Sequence, residues 1–239
     1  AEDDRWRLNA VTPQFSIDDY QGGAFRRPPV FFMSETPMKT LLWFRDDLRT
    51  EDHPALARAI ERGTAGTAAI FVATPASWET HQLGAPRVSF TLSTLEHLRT
   101  QLQALGLPLV YREVPRQSDA PGVIAELVEL HGIDEVHAGL EYGADEVARD
   151  RAVSKALRPM GASLHLWDTQ TILPVYEIRN KAGLPYKVFT PFRRAWEERY
   201  MASPPHREHT SSQIVALEIT SSEIPKSAGA YRPWEAQGL

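Results

Sequence analysis

Three short stretches of this sequence hold most of its chemical capacity. Residues 45–52 read R-D-D-L-R-T-E-D, which sets two guanidiniums beside four carboxylates in one turn. Residues 73–87, A-T-P-A-S-W-E-T-H-Q-L-G-A-P-R, pair a flat indole, Trp78, with an imidazole, His81. Residues 137–150, H-A-G-L-E-Y-G-A-D-E-V-A-R-D, carry the adjacent carboxylates Asp145 and Glu146. An indole stacks on planar ligands, and a carboxylate accepts from neighbouring donors on a ring edge. The turn at 45–52, Arg45 included, can line a pocket for a planar cofactor. Each group also has a structural use. Arg45 and Arg49 can neutralise Asp46, Asp47 and Asp52, and Asp52 can cap a helix. Asp145 and Glu146 are also first-turn acids that complement a helix dipole, and both readings stand on the sequence alone.

The same inspection removes several chemistries. The chain has no cysteine, so disulfides, thiolate metal sites and a cysteine nucleophile are excluded. No G-x-G-x-x-G or G-x-x-x-x-G-K-[ST] follows the first apolar run, and no G-x-S-x-G elbow occurs. His206 and His209 form an H-x-x-H in a proline-rich tail without a carboxylate-rich helix, so no metal site and no self-sufficient catalytic centre is expected. A net charge of -5 supplies no global basic field for nucleic acid, although a local patch is compatible with it. No apolar run approaches the ~20 residues that span a bilayer. The acidic first 30 residues resemble neither a secretory signal nor an intact transit peptide. The expected location is the cytoplasm, or an organelle matrix if a presequence has been removed.

The elements that must position these groups follow from periodicity. Apolar or β-branched runs at 40–44, 68–72, 109–112, 135–138 and 163–167 predict strands buried on both faces. Helices are predicted between them. The first is capped by Asp52, with Pro54 in its opening turn and Gly63 at its end. The second covers about 88–105, with Phe90, Leu92, Leu95, Leu98, Leu102 and Leu105 on one face. The third covers 121–131 and stops at Gly132, and the fourth covers about 145–160 and stops at Gly161. This alternation predicts an α/β fold: an open, doubly wound, five-stranded parallel sheet of Rossmann-like type, with extended N- and C-terminal arms. Residues 1–38 read as an aromatic, proline-rich arm that packs on its own domain or on a partner. Residues 39–200 form the α/β domain, and 201–239 a linker or docking tail. A short strand at 171–173 and a helix at 191–200 complete the expectation, and Arg149, Asp150 and Arg151 are expected on a solvated or ion-paired face.

Four blocks, in order, resemble the DNA photolyase/cryptochrome family over about residues 39–200. Trp43, Phe44, Arg45, Asp47, Leu48, Arg49, Asp52, Ala55 and Leu56 match its opening W-F-R-x-D-L-R-x-x-D-x-x-A-L. The T-P-x-x-W segment at 74–78 is similar to bacterial photolyases with a folate antenna, in which His81 falls at a pocket histidine. The E-Y-x-x-x-E-x-x-R-D stretch sets Asp145 and Glu146 at folate-contacting positions, with Asp145 replacing an expected asparagine. The fourth block, P-Y-K-V-F-T-P-F-R-R-A-W at 185–196, resembles the segment that closes the family's α/β domain, and Phe189, Phe192 and Trp196 are expected to be buried.

The resemblance implies a light-harvesting domain that holds a methenyltetrahydrofolate-type chromophore at His81, Asp145, Glu146, Trp78 and Arg45. In the family, excitation passes to FAD in a separate helical domain, and the flavin donates an electron to a pyrimidine dimer in DNA. No helical FAD domain is expected within this sequence, so FAD and DNA would be met only through a partner. Three readings compete: the antenna part of a cyclobutane pyrimidine dimer photolyase or cryptochrome; a photolyase-derived, non-catalytic subunit docked by its terminal arms, Tyr231 and Trp234 included, into a larger assembly; and a nucleotide-binding α/β protein of shared ancestry.

Overall fold

In the computed structural model, residues 14–15, 20–21, 24–25, 36–175, 177–202, 204, 207–210, 213–226 and 229 are described. Two short strands at Tyr20–Gln21 (β2) and Ala24–Phe25 (β3) pair with each other, and Gln14–Phe15 forms β1. The remaining aromatic residues of the arm, and Tyr231, Trp234 and His206 of the tail, lie outside the described residues.

The apolar runs become β4 (Lys39–Phe44), β5 (Gly66–Ala73), β6 (Leu109–Glu113), β7 (Glu135–Gly139) and β8 (Ser163–Trp167). The sheet order is β1-β8-β7-β4-β5-β6, with β4 to β8 all parallel and β1 antiparallel on the β8 edge. Successive strand residues face opposite ways, which divides the core in two. Leu41 and Trp43 pack with α4 (Ala120–His131) and α5 (Ala144–Leu157), whereas Leu42 and Phe44 pack with α1 (Pro54–Arg62) and α3 (Ala85–Ala104). Helices therefore cover both faces, as a doubly wound sheet requires.

Several local expectations are corrected. Asp52 does not cap α1: its backbone sits in the left-handed region at φ 49°, and its carboxylate accepts from the Glu208 N–H at 3.0 Å. His53, at φ -121°, has the extended backbone a cap needs, and its Nδ1 accepts from the Leu56 N–H at 3.1 Å. A short helix that the periodicity did not predict, α2 (Pro75–Thr80), follows β5. Phe90 is 72% exposed, because the buried stripe of α3 runs Val88, Leu92, Leu95, Leu98 and Leu102, and a residue two positions after Val88 lies on the far side. Leu105 is also exposed, at the end of that helix. Residues 171–173 form no strand; Asp168 accepts from the Thr171 N–H and hydroxyl, at 3.1 and 2.6 Å, and bends the chain there.

The last helix, α6 (Phe189–Ala202), has no buried residue. Phe189, expected in a core, is 71% exposed, and Phe192 and Trp196 are only half-buried, against Tyr186 and Tyr200. None of its side chains joins either core cluster, so its apolar residues gain little cover from the domain. The tail beyond it returns to the sheet. The Thr67 N–H donates to Val215 and the Leu217 N–H to Thr67, while Ser221 and Ser222 bond the edge residue Tyr111. Ile219 and Ile224 are buried there, so the described part of this tail docks on its own domain.

Candidate functional site

The carboxyl ends of β4 and β7 flank the point where strand order reverses, the usual crevice for a ligand. Here the protein's own side chains fill it. Arg45, the residue after β4, is buried and reaches across to the Gly139 carbonyl at 2.9 Å. Its two terminal nitrogens grip Asp150 of α5 bidentately, at 2.9 Å each. Arg149 bonds the same carboxylate at 3.0 and 2.8 Å and Glu141 at 2.7 Å. Both guanidiniums lie over the Trp43 ring, 4.3 Å and 4.9 Å from its centroid, which adds cation–π attraction. Burial, then the Arg149 charge, pull the Arg45 pKa down, against Asp150 and Glu141. Burial pushes the Glu141 carboxyl up in spite of both arginines. The expected pairing of Arg45 with Asp46, Asp47 and Asp52 is thus corrected: its partners come from β7 and α5, because a side chain aimed along the sheet edge meets those elements first. Arg149 and Asp150 are ion-paired as expected, but in the interior.

A second buried pair stiffens the same turn. Asp47 lies 3.2 Å from His53 Nε2 and accepts from the Arg45 N–H at 3.1 Å and the Thr169 hydroxyl at 2.8 Å. Burial pushes this carboxyl up, but the His53 charge and these hydrogen bonds outweigh it and hold its pKa well below the usual range. Gly139 permits this approach, since a β-carbon there would collide with Asp47 Oδ2 and Thr169 Oγ1.

The open space lies to one side of this plug. A groove of about 540 Å³ is lined by Ser77, Thr80 and His81 at α2, Arg116, Gln117, Ser118 and Pro121 where β6 leads into α4, and Asp145, Ala148, Arg149 and Ala152 on α5. Its size falls in the ~300–1,000 Å³ range of small-molecule sites. All three walls follow carboxyl ends of strands. His81 and Asp145 therefore meet in one groove. Trp78, Glu146 and Arg45 are not among its lining residues. Trp78 packs against the α1/α3 side of the core, and the Glu146 carboxylate folds back over Gly143, the residue that begins α5. Arg45 reaches the groove only through Asp150 and Arg149. Arg116, Gln117, Ser118 and Arg149 were not anticipated as lining residues. Their types carry no signal, and only the rule that loops after parallel strands surround one edge points to them.

Comparison with known proteins gives this geometry its context. The family model described as DNA photolyase matches residues 40–211. The chain belongs to this family. A deoxyribodipyrimidine photo-lyase of Vibrio cholerae is 35% identical over 156 residues, covering 65% of this chain and 33% of the relative. The Escherichia coli protein of the same name is 32% identical over 182 residues, covering 76% and 37%. The chain thus spans about a third of the length of the curated relatives it matches. Among solved structures, a class III photolyase from Agrobacterium tumefaciens aligns with a TM-score of 0.65 at 25% identity, over 80% of this chain and 38% of that one. A Synechocystis cryptochrome shares the fold with a TM-score of 0.67 at 24% identity. The matched region of the photolyase family includes the Arg45–Asp150 plug, all three groove walls and α6. No helix among the described residues is long and apolar enough to cross a membrane.

Proposed function

We propose that this chain is the antenna-bearing α/β portion of a light-dependent DNA-repair photolyase or cryptochrome, and that its groove binds a methenyltetrahydrofolate-type pigment. The observation that carries this reading is the convergence of His81 and Asp145, 64 positions apart in sequence, on one groove of suitable volume. The donor set fits such a ligand. The Asp145 carboxylate accepts from the adjacent N–H groups of an aminopyrimidine edge, and the exposed His81 ring offers a flat polar face to the heterocycle. Arg149, ion-paired with Asp150 and Glu141, supplies a rigid floor. When bound, the pigment supplies near-ultraviolet absorption and passes its excitation to flavin.

Glu146 acts in this reading through the start of α5, holding the turn that presents Asp145, and Arg45 acts by fixing Arg149. Flavin and DNA are engaged by a partner portion that covers the bare face of α6, whether it continues the same chain or arrives as a separate subunit. The exposed Leu184, Val188, Phe189 and Met201 support such a contact. Docking of the chain into a larger assembly uses the same face.

Titration of the purified chain with 5,10-methenyltetrahydrofolate tests the reading through near-ultraviolet absorbance and fluorescence polarisation. Saturable binding is expected, with a loss of tenfold or more in the His81→Ala/Asp145→Ala double variant, on the order of two hydrogen-bonded contacts. Equal binding by both proteins removes the pocket assignment. The chain with added FAD is expected to repair no pyrimidine dimers under blue light, and repair by it overturns the division of labour.

A further inference from the structure

The groove's walls differ in charge. Asp145, on the first turn of α5, is an exposed acceptor. Facing the same space from the turn before α4 is Arg116, and the two do not pair with each other. The other lining arginine, Arg149, is committed to Asp150 and Glu141 at 2.7–3.0 Å. Arg116 forms no ion pair among the described residues. Asp119, three positions on, turns one carboxylate oxygen onto the Arg116 N–H at 3.0 Å. Ser77 stands beside this turn and accepts from the Gln117 N–H at 2.9 Å, which leaves its own O–H free to donate. Thr80, by contrast, spends its O–H on the Ala76 carbonyl at 2.8 Å. One wall therefore accepts and another donates with a positive charge.

We propose that this polarity orients the ligand: the donor-bearing ring lies at Asp145 and His81, and the carboxylates of the folate's glutamate tail lie at Arg116 and Ser77. This rests on the antenna reading and adds a specificity determinant to it. A carboxylate tail placed at Asp145 would meet like charge, whereas at Arg116 it meets a guanidinium with a hydroxyl donor on the same groove. Arg116 is exposed, so its pairing is screened by salt, and the gain is modest.

The test compares 5,10-methenyltetrahydrofolate with the same compound carrying both glutamate carboxylates as amides, by fluorescence titration of the full chain in low and high salt. The acid form is expected to bind about two- to fivefold tighter in low salt, with the gap closing in high salt. Arg116→Gln removes the gap by weakening the acid form with the melting temperature unchanged, and Arg116→Lys retains part of it. Equal affinity of the two forms in the wild-type chain, or a gap that survives in Arg116→Gln, overturns the orientation and leaves the antenna reading intact. Binding of neither form overturns both.

Discussion

Asp150 is the residue on which the plug at the sheet edge depends, and its removal has a predictable cost. The side chain has no exposed surface, and it accepts four hydrogen bonds of 2.8–3.0 Å from Arg45 and Arg149. In Asp150→Ala, two buried guanidiniums share Glu141 alone, which lies 2.7 Å from Arg149 and 3.5 Å from Arg45. Breaking a buried pair by deleting one partner costs about 3–5 kcal/mol. Domain stabilities are about 5–15 kcal/mol, so this is a large share of the whole. At ~2–4 °C per kcal/mol for a chain of this size, the melting temperature falls by roughly 6–20 °C. Circular dichroism melts and urea titrations of the purified chain measure this, with the exposed Lys155→Ala on the same helix as a control expected within ~0.5 kcal/mol. A melting temperature for Asp150→Ala within about 2 °C of the control refutes the reasoning, because the buried charges would then be compensated by something other than Asp150.

Acid should destabilise the fold in two stages. Burial, the largest cause, pulls the His137 pKa from 6.5 to about 4, so its contribution is whole above about pH 6.5 and is lost as pH falls toward 4, about 2 kcal/mol by pH 5. Asp47 and Glu135, held low in the folded chain, lose their contributions below about pH 4, whereas Glu141, raised by burial, acts in the opposite sense. Urea unfolding at pH 7.5, 6 and 5 checks this, and a flat profile contradicts it. Gly139→Ala should cost about 1–3 kcal/mol through collision with the bonded Asp47 and Thr169 side chains, while Gly122→Ala in α4, where a β-carbon meets nothing within 4 Å, should stabilise by roughly 0.5–1 kcal/mol; equal effects in thermal melts refute the steric account. Truncation after residue 212 removes the buried Ile219 and Ile224 and should lower stability by at least ~2–5 kcal/mol, with association visible by light scattering. An unchanged melting temperature would show that the tail is a passive linker.

The sheet was legible because its signal is redundant. Each strand is an apolar run, and the helices end in glycines such as Gly132 and Gly161, whose left-handed backbones the structure confirms. Partnership was much less legible. Arg45, Arg149 and Asp150 are charged residues of the kind that usually meets water, and nothing in their local sequence says that 105 positions separate two halves of one buried pair. His53 escaped notice as a cap because imidazole is an uncommon acceptor there, and the adjacent Asp52 is a better candidate on type alone. Phe189 and Phe90 misled in the opposite direction, since hydrophobicity indicates a need for cover without saying that this chain provides it. That His81 and Asp145 should lie near each other was readable through the family resemblance, whereas the positions of Arg116 and Ser118 on the same groove were not, because they come from topology.

Both margins of the sheet are occupied by segments that lie outside the family-matched region. β1 runs along β8, and residues 215–222 run along the start of β5, beyond its pairing with β6, and the outer side of β6. A strand from another molecule therefore finds little free ladder to extend on either side. The described edges are thus blunted by short strands and tail contacts rather than left as long open ladders. Any partner that meets α6 would do so through side chains, since this helix buries none of its residues on the domain.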